Sequence, residues 1–400
     1  MLGQTEVLTT ALSAKDASLS RVREGECVKK ILVICMYDSI HSARWLAQFK
    51  DTDYEFLLFP SSPHRRIRPE LKALLGNSGA ASYNLFPLSR LFGLPFWIAD
   101  KFFGNLIRGS LVRIAAKTFR PDLVHALELQ NAGYISLQAF GDRSRPFKLM
   151  VTNWGSDIFW FQQFPQHLAK LKQLLKIADY YSAECSRDVA LAKRLGFVGK
   201  AMPVIPNAGG FGQQELEQAL RPSDARSKIA IKGYQGWVGR AVTALEAIES
   251  ISGSLSDYEL VIYSANLKTI RYAREVEKRT GLRFTIYPKG AMSHRQVLEL
   301  FAESKIYIGL SESDGISTSL LEAMAMGAIP VQTATACCDE WFTSTGVAIH
   351  QIEPGIVAAG ILRALELSED PMNATVNRET IRRKANASEV SKIARTFYEL

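Results

Sequence analysis

Cysteine is scarce in this sequence. The five residues are Cys27, Cys35, Cys185, Cys337 and Cys338, with no C-x-x-C pair among them. An odd count without such a pair gives no disulfide framework and fits a reducing compartment. The adjacent Cys337 and Cys338 read as packing rather than as a redox or metal pair. Long apolar runs are also missing: none approaches about 18 residues, so no spanning helix is expected. No charged-then-apolar leader opens the chain, and residues 1–28 read as a polar, mobile tail without a signal peptide. Acidic residues are rare in one region. Between Ser61 and Arg120, the basic residues Arg65, Arg66, Arg68, Lys72, Arg90, Lys101, Arg108, Arg113, Lys117 and Arg120 are opposed only by Glu70 and Asp100. This contributes to a formal net charge of +8 and points to an anionic surface, lipid or nucleic acid, as a partner.

The chain has 400 residues, 47% of them apolar. That length suggests two domains, and the apolar share is ordinary for a globular protein. The most informative stretch is Ser311 to Val331, SESDGISTSLLEAMAMGAIPV. A short apolar run, Lys305 to Leu310, precedes it as a buried strand. Glu312-Ser313-Asp314-Gly315 then breaks the pattern. From Ser317 the period turns helical, with Leu320, Leu321, Met324 and Ala325 on one stripe. Gly327 stands where a left-handed cap ends the helix, and Ile329 to Val331 begins the next strand. At the start of such a helix, the amides of Gly315, Ile316, Ser317 and Thr318 have no intrahelical partner and carry partial positive charge, which favours a phosphate. Glu322 lies one turn beyond Thr318 on the same face. A carboxylate there suits hydroxyl donors, such as those of a ribose, and Asp314 can accept from a second sugar. The pattern fits a nucleotide sugar lying across a helix N-terminus.

An acidic residue, then seven residues, then Glu and A-M-A-x-G-x-x-P-V resembles the signature of glycosyltransferase family 4. The resemblance covers about residues 29 to 400, specifically in the second half and loosely in the first. It implies an α/β GT-B fold, two Rossmann-like doubly wound domains facing across a cleft. It also implies a retaining, nucleotide-sugar-dependent reaction. The expected divisions are an acceptor-binding domain at 29–208, a nucleotide-sugar-binding domain at 209–387, and a helix at 388–400 crossing back to the first domain. In the family, an Arg and a Lys near the first glycine loop of the second domain grip the diphosphate; Arg240 and Lys232 occupy those places. The backbone at Pro288 and Lys289 matches the loop that holds the base. The first acidic residue of the signature is usually Glu, and here it is Asp314.

The first half departs further. Lys29 to Met36 is a buried strand, followed by a loop with His41 and Ser42 placed towards the cleft, without the family's paired glycines. After the strand Lys148 to Asn153, the family's His-Gly-x-Asp becomes Trp154-Gly155-Ser156-Asp157. Met202 to Asn207 reads as the last strand of this half, and the glycine-rich then polar stretch Asn207 to Ser227 as a linker. Asp51-Thr52-Asp53 matches a D-x-D pattern that binds metal in other glycosyltransferases, but it precedes a strand as a simple turn would. Residues 83–119 mix basic side chains with Leu91, Phe92, Leu94, Phe96, Trp97, Phe102, Phe103, Leu106 and Ile107. That mixture suits either a membrane interface or a core helix pair with a basic face.

Together these readings give a metal-independent transferase with a UDP- or GDP-sugar as donor substrate and no cofactor. The expected acceptor is a glycan or a lipid-linked glycan in cell-surface polysaccharide or glycolipid synthesis, with Asp314, Arg240 and Lys232 at the reacting end. The expected location is cytoplasmic, with a peripheral position on the inner face of the plasma membrane through residues 83–119. A nucleotide-sugar 2-epimerase of the same fold is the alternative. A basic nucleic-acid-binding protein is a weaker one, since it leaves the Glu322 block without a role.

Overall fold

A computed structural model describes residues 28–64, 66–76, 79–87, 89, 93–141, 144–221 and 226–400. The expected tail at 1–28, apart from Val28, lies outside the described residues, as do Arg65, Arg90, Leu91 and Phe92.

Thirteen strands among the described residues form two sheets, and every pairing between them is parallel. The first sheet contains β1 (Lys30–Cys35), β2 (Glu55–Pro60), β3 (Ser82–Leu85), β4 (Leu123–Leu127), β5 (Lys148–Thr152), β6 (Tyr180–Ser182) and β7 (Lys200–Ala201). Their order is β3-β2-β1-β4-β5-β6-β7. The second contains β8 (Lys228–Lys232), β9 (Glu259–Ala265), β10 (Phe284–Pro288), β11 (Ser304–Gly309), β12 (Ile329–Thr333) and β13 (Val347–Ile349), in the order β10-β9-β8-β11-β12-β13. Helices cover both faces, which is why β1, β4 and β12 read as continuous apolar runs: they are buried from end to end but for Lys30. In each sheet the order reverses beside the first strand, where ligands of open α/β sheets bind beyond the carboxyl ends.

Several elements differ from the sequence expectation. The last strand of the first sheet is Lys200–Ala201, not Met202 to Asn207. Pro203 and Pro206 have no N–H to give to a ladder, so the pairing stops after the Met202 amide bonds Tyr181 O. The stretch 207–227 is not a bare linker. It contains a helix, Gln213–Ala219, whose Leu216 packs with Phe211 and Ala219 on the second domain. Arg226 is buried and donates to the carbonyls of Met326 and Gly327, closing the end of helix Thr318–Met326. Asp51 to Asp53 is an exposed turn, and Asp51 faces Arg395 at 3.7 Å.

The C-terminal helix, Ala387–Thr396, packs on the first sheet. Val390, Ala394, Phe397 and Tyr398 complete a buried cluster with Trp45, Phe49 and Phe56. Tyr398 Oη accepts from Trp45 Nε1 at 2.8 Å and lies 2.7 Å from His125 Nδ1; His125 Nε2 lies 2.6 Å from Thr152 Oγ1. Burial lowers the His125 pKa to about 3, so the ring is neutral and can accept from Tyr398 while donating to Thr152.

Residues 83–119 are neither one helix nor wholly a basic face. Tyr83 and Leu85 belong to β3, and helices follow at Leu94–Phe102 and Leu106–Phe119. Arg108, expected on the basic surface, is instead buried. It pairs with buried Asp100 at 2.5 Å and donates to Ser61 O and Asn105 Oδ1. A guanidinium with five fixed donors can satisfy that many acceptors, which makes the burial tolerable. Val112 is buried, but several other apolar residues of the segment stay outside: Phe102 is 85% exposed and Phe103 62%. No helix of the described residues is long and apolar enough to cross a membrane.

Candidate active site

Loops from the carboxyl ends of both sheets meet across a cleft. Ser156 Oγ donates to Ser313 O at 3.1 Å, and Arg187 donates to Thr335 O at 2.6 Å and Asp314 O at 2.8 Å. Gly155 and Gly315 pass so closely that a Cβ on Gly315 would stand 3.3 Å from the Gly155 amide nitrogen. Trp237 of the second domain lies against Trp160 and Phe161 of the first.

On the second-domain side, helix Thr318–Met326 starts without a side-chain cap, since Ser317 gives none, and ends in Gly327 at φ 86°. Its first-turn amides therefore point to an open N-terminus. The Gly315 amide is already taken by its own neighbour's carboxylate, Asp314 Oδ1, at 2.9 Å. Lys232 reaches this end from β8, with Nζ 3.3 Å from Ser317 Oγ. Burial alone would lower the Lys232 pKa, but the charges of Tyr307, Asp314 and Glu322 outweigh it and the net shift is upward. The lysine therefore stays cationic where a diphosphate would lie. Arg240 stands further out and is engaged by Glu312 at 2.9 Å and by the carbonyls of Gly236 and Gly239. An anion would have to displace Glu312 to gain it.

Glu322 is buried on the same helix and accepts from His294 Nε2 at 2.8 Å. His294 Nδ1 lies 3.2 Å from Glu215 on the helix Gln213–Ala219. The bond to Glu322 raises the His294 pKa, against burial. Sequence reading missed this histidine. The signal available was Ser293 with Gln296, a capping box that the structure shows complete, which puts residue 294 at the first position of a helix. Pro288 ends β10, and the Lys289 amide is already donated to Ala265 O at 3.0 Å. The Pro288 carbonyl in turn accepts the Ala291 amide at 3.0 Å.

The first-domain side is acidic. Helix Ile40–Ala47 begins earlier than expected, so His41 and Ser42 lie on its first turn rather than in a loop. Ser42 is fully buried, which removes it from the cleft surface. His41 packs against Trp154 with ring centroids 5.7 Å apart, and burial lowers its pKa. Asp157 accepts the amides of Leu129 and Trp154 at 2.9 and 3.1 Å; burial and then the Glu128 charge push its carboxyl well above the ordinary range. Glu128 closes β4 with φ 99°, a strained value for a residue with a side chain, and its carboxylate caps the amides of Asn131 and Ala132. Glu184, not anticipated from sequence, follows β6 and accepts the Asn207 amide at 3.0 Å. Burial and then the Asp314 charge raise its pKa to about 8. Asp314 itself is raised by burial, with Lys232 opposing. A protonated acid from one domain thus faces a carboxyl of the other.

A hollow of about 920 Å³, lined by Arg113, Lys117, Arg120, Phe140 and Arg145, sits at the amino end of β4, beyond Asp122. That is the wrong edge of an open parallel sheet for its ligand, and the cleft remains the candidate site.

Residues 218–380 match the family model of glycosyl transferases group 1. No curated protein matches the chain by sequence. Among solved structures, sucrose-phosphate synthase from Thermosynechococcus elongatus is 14% identical over 93% of this chain and 98% of that one, with a TM-score of 0.66. A UDP-forming alpha,alpha-trehalose-phosphate synthase from Burkholderia xenovorans is 11% identical over 93% and 99%, TM-score 0.68. The HepE protein of Anabaena in complex with UDP-glucose is 15% identical over 93% and 100%, TM-score 0.62. Such identities speak to the fold alone, and the family match spans the half that carries Lys232, Glu312, Asp314 and Glu322. The chain has the GT-B fold of these glycosyltransferases, and its residues 218–380 are similar to glycosyl transferases group 1.

Proposed function

We propose that the protein is a retaining glycosyltransferase of the family 4 type, moving a sugar from a UDP- or GDP-sugar to a lipid-linked or glycan acceptor. The observation that carries this reading is the placement of Glu322 one turn beyond an open helix N-terminus, with the Lys232 ammonium beside Ser317. The amides of Ile316 to Thr318 and Lys232 take the diphosphate, and Glu322 takes the ribose hydroxyls with the oxygen not held by His294. The base sits by Pro288 and Lys289. The bond from the anomeric carbon to the phosphate oxygen breaks while the acceptor oxygen bonds the same face. The acceptor proton passes to the departing phosphate. Lys232 and the helix amides stabilise the negative charge that grows there, a role that needs no metal ion. Arg240 joins them if the phosphate draws it from Glu312, and Asp314 orients the donor sugar. His41, Trp154 and Asp157 lie on the acceptor side, where HepE offers a parallel only in binding UDP-glucose itself.

A lipid-linked acceptor is favoured by the exposed apolar edge of Leu94, Ile98, Phe102, Phe103, Leu106 and Ile107, with Lys101 over the Trp97 ring at 4.4 Å. A basic, aromatic edge of this kind suits the inner face of an anionic membrane.

The test is a thermal-shift screen of UDP, GDP and their sugars, followed by incubation with the best donor with and without a lipid-linked acceptor. Stabilisation by a nucleotide sugar and an acceptor-dependent product that keeps the donor's anomeric configuration are expected. An inverted product overturns the retaining mechanism; conversion of the donor sugar without acceptor overturns transfer.

A further inference from the structure

Three groups with affinity for metals meet at the back of the domain interface. Cys185 precedes helix Ser186–Arg194 of the first domain; Cys337 and Glu340 stand in the turns after β12 of the second. The two thiol sulfurs and a carboxylate oxygen of Glu340 all lie within 4.8 Å of one another. Both cysteines are buried. Glu340 is already aimed: Oε1 accepts the Ser186 amide at 2.8 Å and Oε2 the Ser186 hydroxyl at 3.3 Å. Cys337 sits at φ 52°, a left-handed conformation that turns its side chain away from its neighbour Cys338, whose thiol instead bonds Gln332 O at 3.7 Å. Expecting the adjacent pair to be packing therefore accounts for Cys338 and not for Cys337.

We propose that Cys185, Cys337 and Glu340 form a binding site for one soft divalent cation of the zinc class, shared between the two domains. Two thiolates and one carboxylate are a suitable set for such an ion, with a fourth position left for water. Ser186 supplies the second layer of hydrogen bonds that fixes a ligating carboxylate. Binding releases two thiol protons, because the ligands are the thiolates. The ligands come from opposite sides of the cleft, so the ion is captured when the domains close and resists their reopening. The site is remote in role from sugar transfer, and the inference does not depend on the reading of the donor site.

The probe is cobalt(II) chloride, titrated into chelator-stripped full-length protein kept reduced by a phosphine. One equivalent should bind and give thiolate-to-cobalt charge-transfer absorption. Cys185→Ser and Cys337→Ser should abolish that absorption, whereas Cys35→Ser and Cys338→Ser should leave it unchanged. Glu340→Gln should keep the band and weaken binding at least tenfold. Should the serine variants misfold, Cys337→His, tolerable at a left-handed position, should still bind with about half the charge-transfer intensity expected of two thiolates. Absence of the band in the wild type, its survival in Cys337→Ser, or loss of two titratable thiols to a disulfide without cobalt uptake would overturn the proposal.

Discussion

Where β11 leaves the second sheet, the chain meets a helix N-terminus, a buried lysine and one carboxylate tied to a histidine. Where β4, β5 and β6 leave the first sheet, it meets three acids, Glu128, Asp157 and Glu184, each raised by burial. The two sheets share a strand order around β1 and around β8, yet their cleft edges have opposite character. The donor edge is built to hold negative charge. The first-domain edge instead carries acids raised by burial and engaged by backbone amides. A diphosphate asks the same geometry of any protein that binds it, so its cradle has a fixed spacing in sequence. An acceptor asks for nothing so general.

The largest effect should come from the first domain's interior. Arg108→Ala leaves Asp100 buried without a partner and should cost about 3–5 kcal/mol, read as a lower urea midpoint. Equal stability would mean that the pair is not as enclosed as the geometry shows. On the donor edge, Glu322→Ala should lower transfer by roughly 100-fold, the loss of about 3 kcal/mol in charged hydrogen bonds, with the far-UV circular dichroism unchanged. Undiminished turnover would remove the ribose clasp from the comparison. At the exposed edge, Phe102→Ser with Phe103→Ser should weaken sedimentation with anionic liposomes by about tenfold, since two partly inserted rings together withdraw about 1.5 kcal/mol of apolar burial. Unaltered sedimentation would leave that edge without its membrane.

The smallest effect is in pH dependence. The Glu184 pKa is higher folded, at about 8, than unfolded, at 4.5, so the native state binds the extra proton between those values. Stability should fall as pH rises through that window. Glu184→Gln, which cannot ionise, should flatten this part of the decline in Tm. An unchanged slope would show that Glu184 is not desolvated in the cleft.

How much of this could be read from residues alone follows the same division. The helix after Asp314, its glycine cap at 327 and the strands on either side follow from period and local chemistry, and lie where the spacing puts them. Lys232 entered through the family resemblance, and the structure puts its ammonium beside Ser317 at the helix start. Glu128 and Glu184 gave no such signal. Their neighbours in space, Asp157 and Asp314, are far along the chain, and a raised carboxyl pKa is a property of the folded surroundings. Arg108 was misplaced for a similar reason: composition counts its charge as surface, and only the fold brings Asp100, Asn105 and Ser61 around it. Ser42 and the strand ending at β7 were errors of boundary. Helix Ile40–Ala47 starts one residue after a serine cap, and two prolines stop a ladder that apolar content would have extended.

The aromatic floor of the first sheet has a bearing on how the molecule is made. Tyr398 touches His125 across 273 residues of chain, and Phe397 packs on Trp45. Emerging from a ribosome, the first half would hold its sheet with Trp45, Phe49 and Phe56 uncovered until the final helix arrives. Its maturation must therefore wait until residues 387–398 have been synthesised and can fold back.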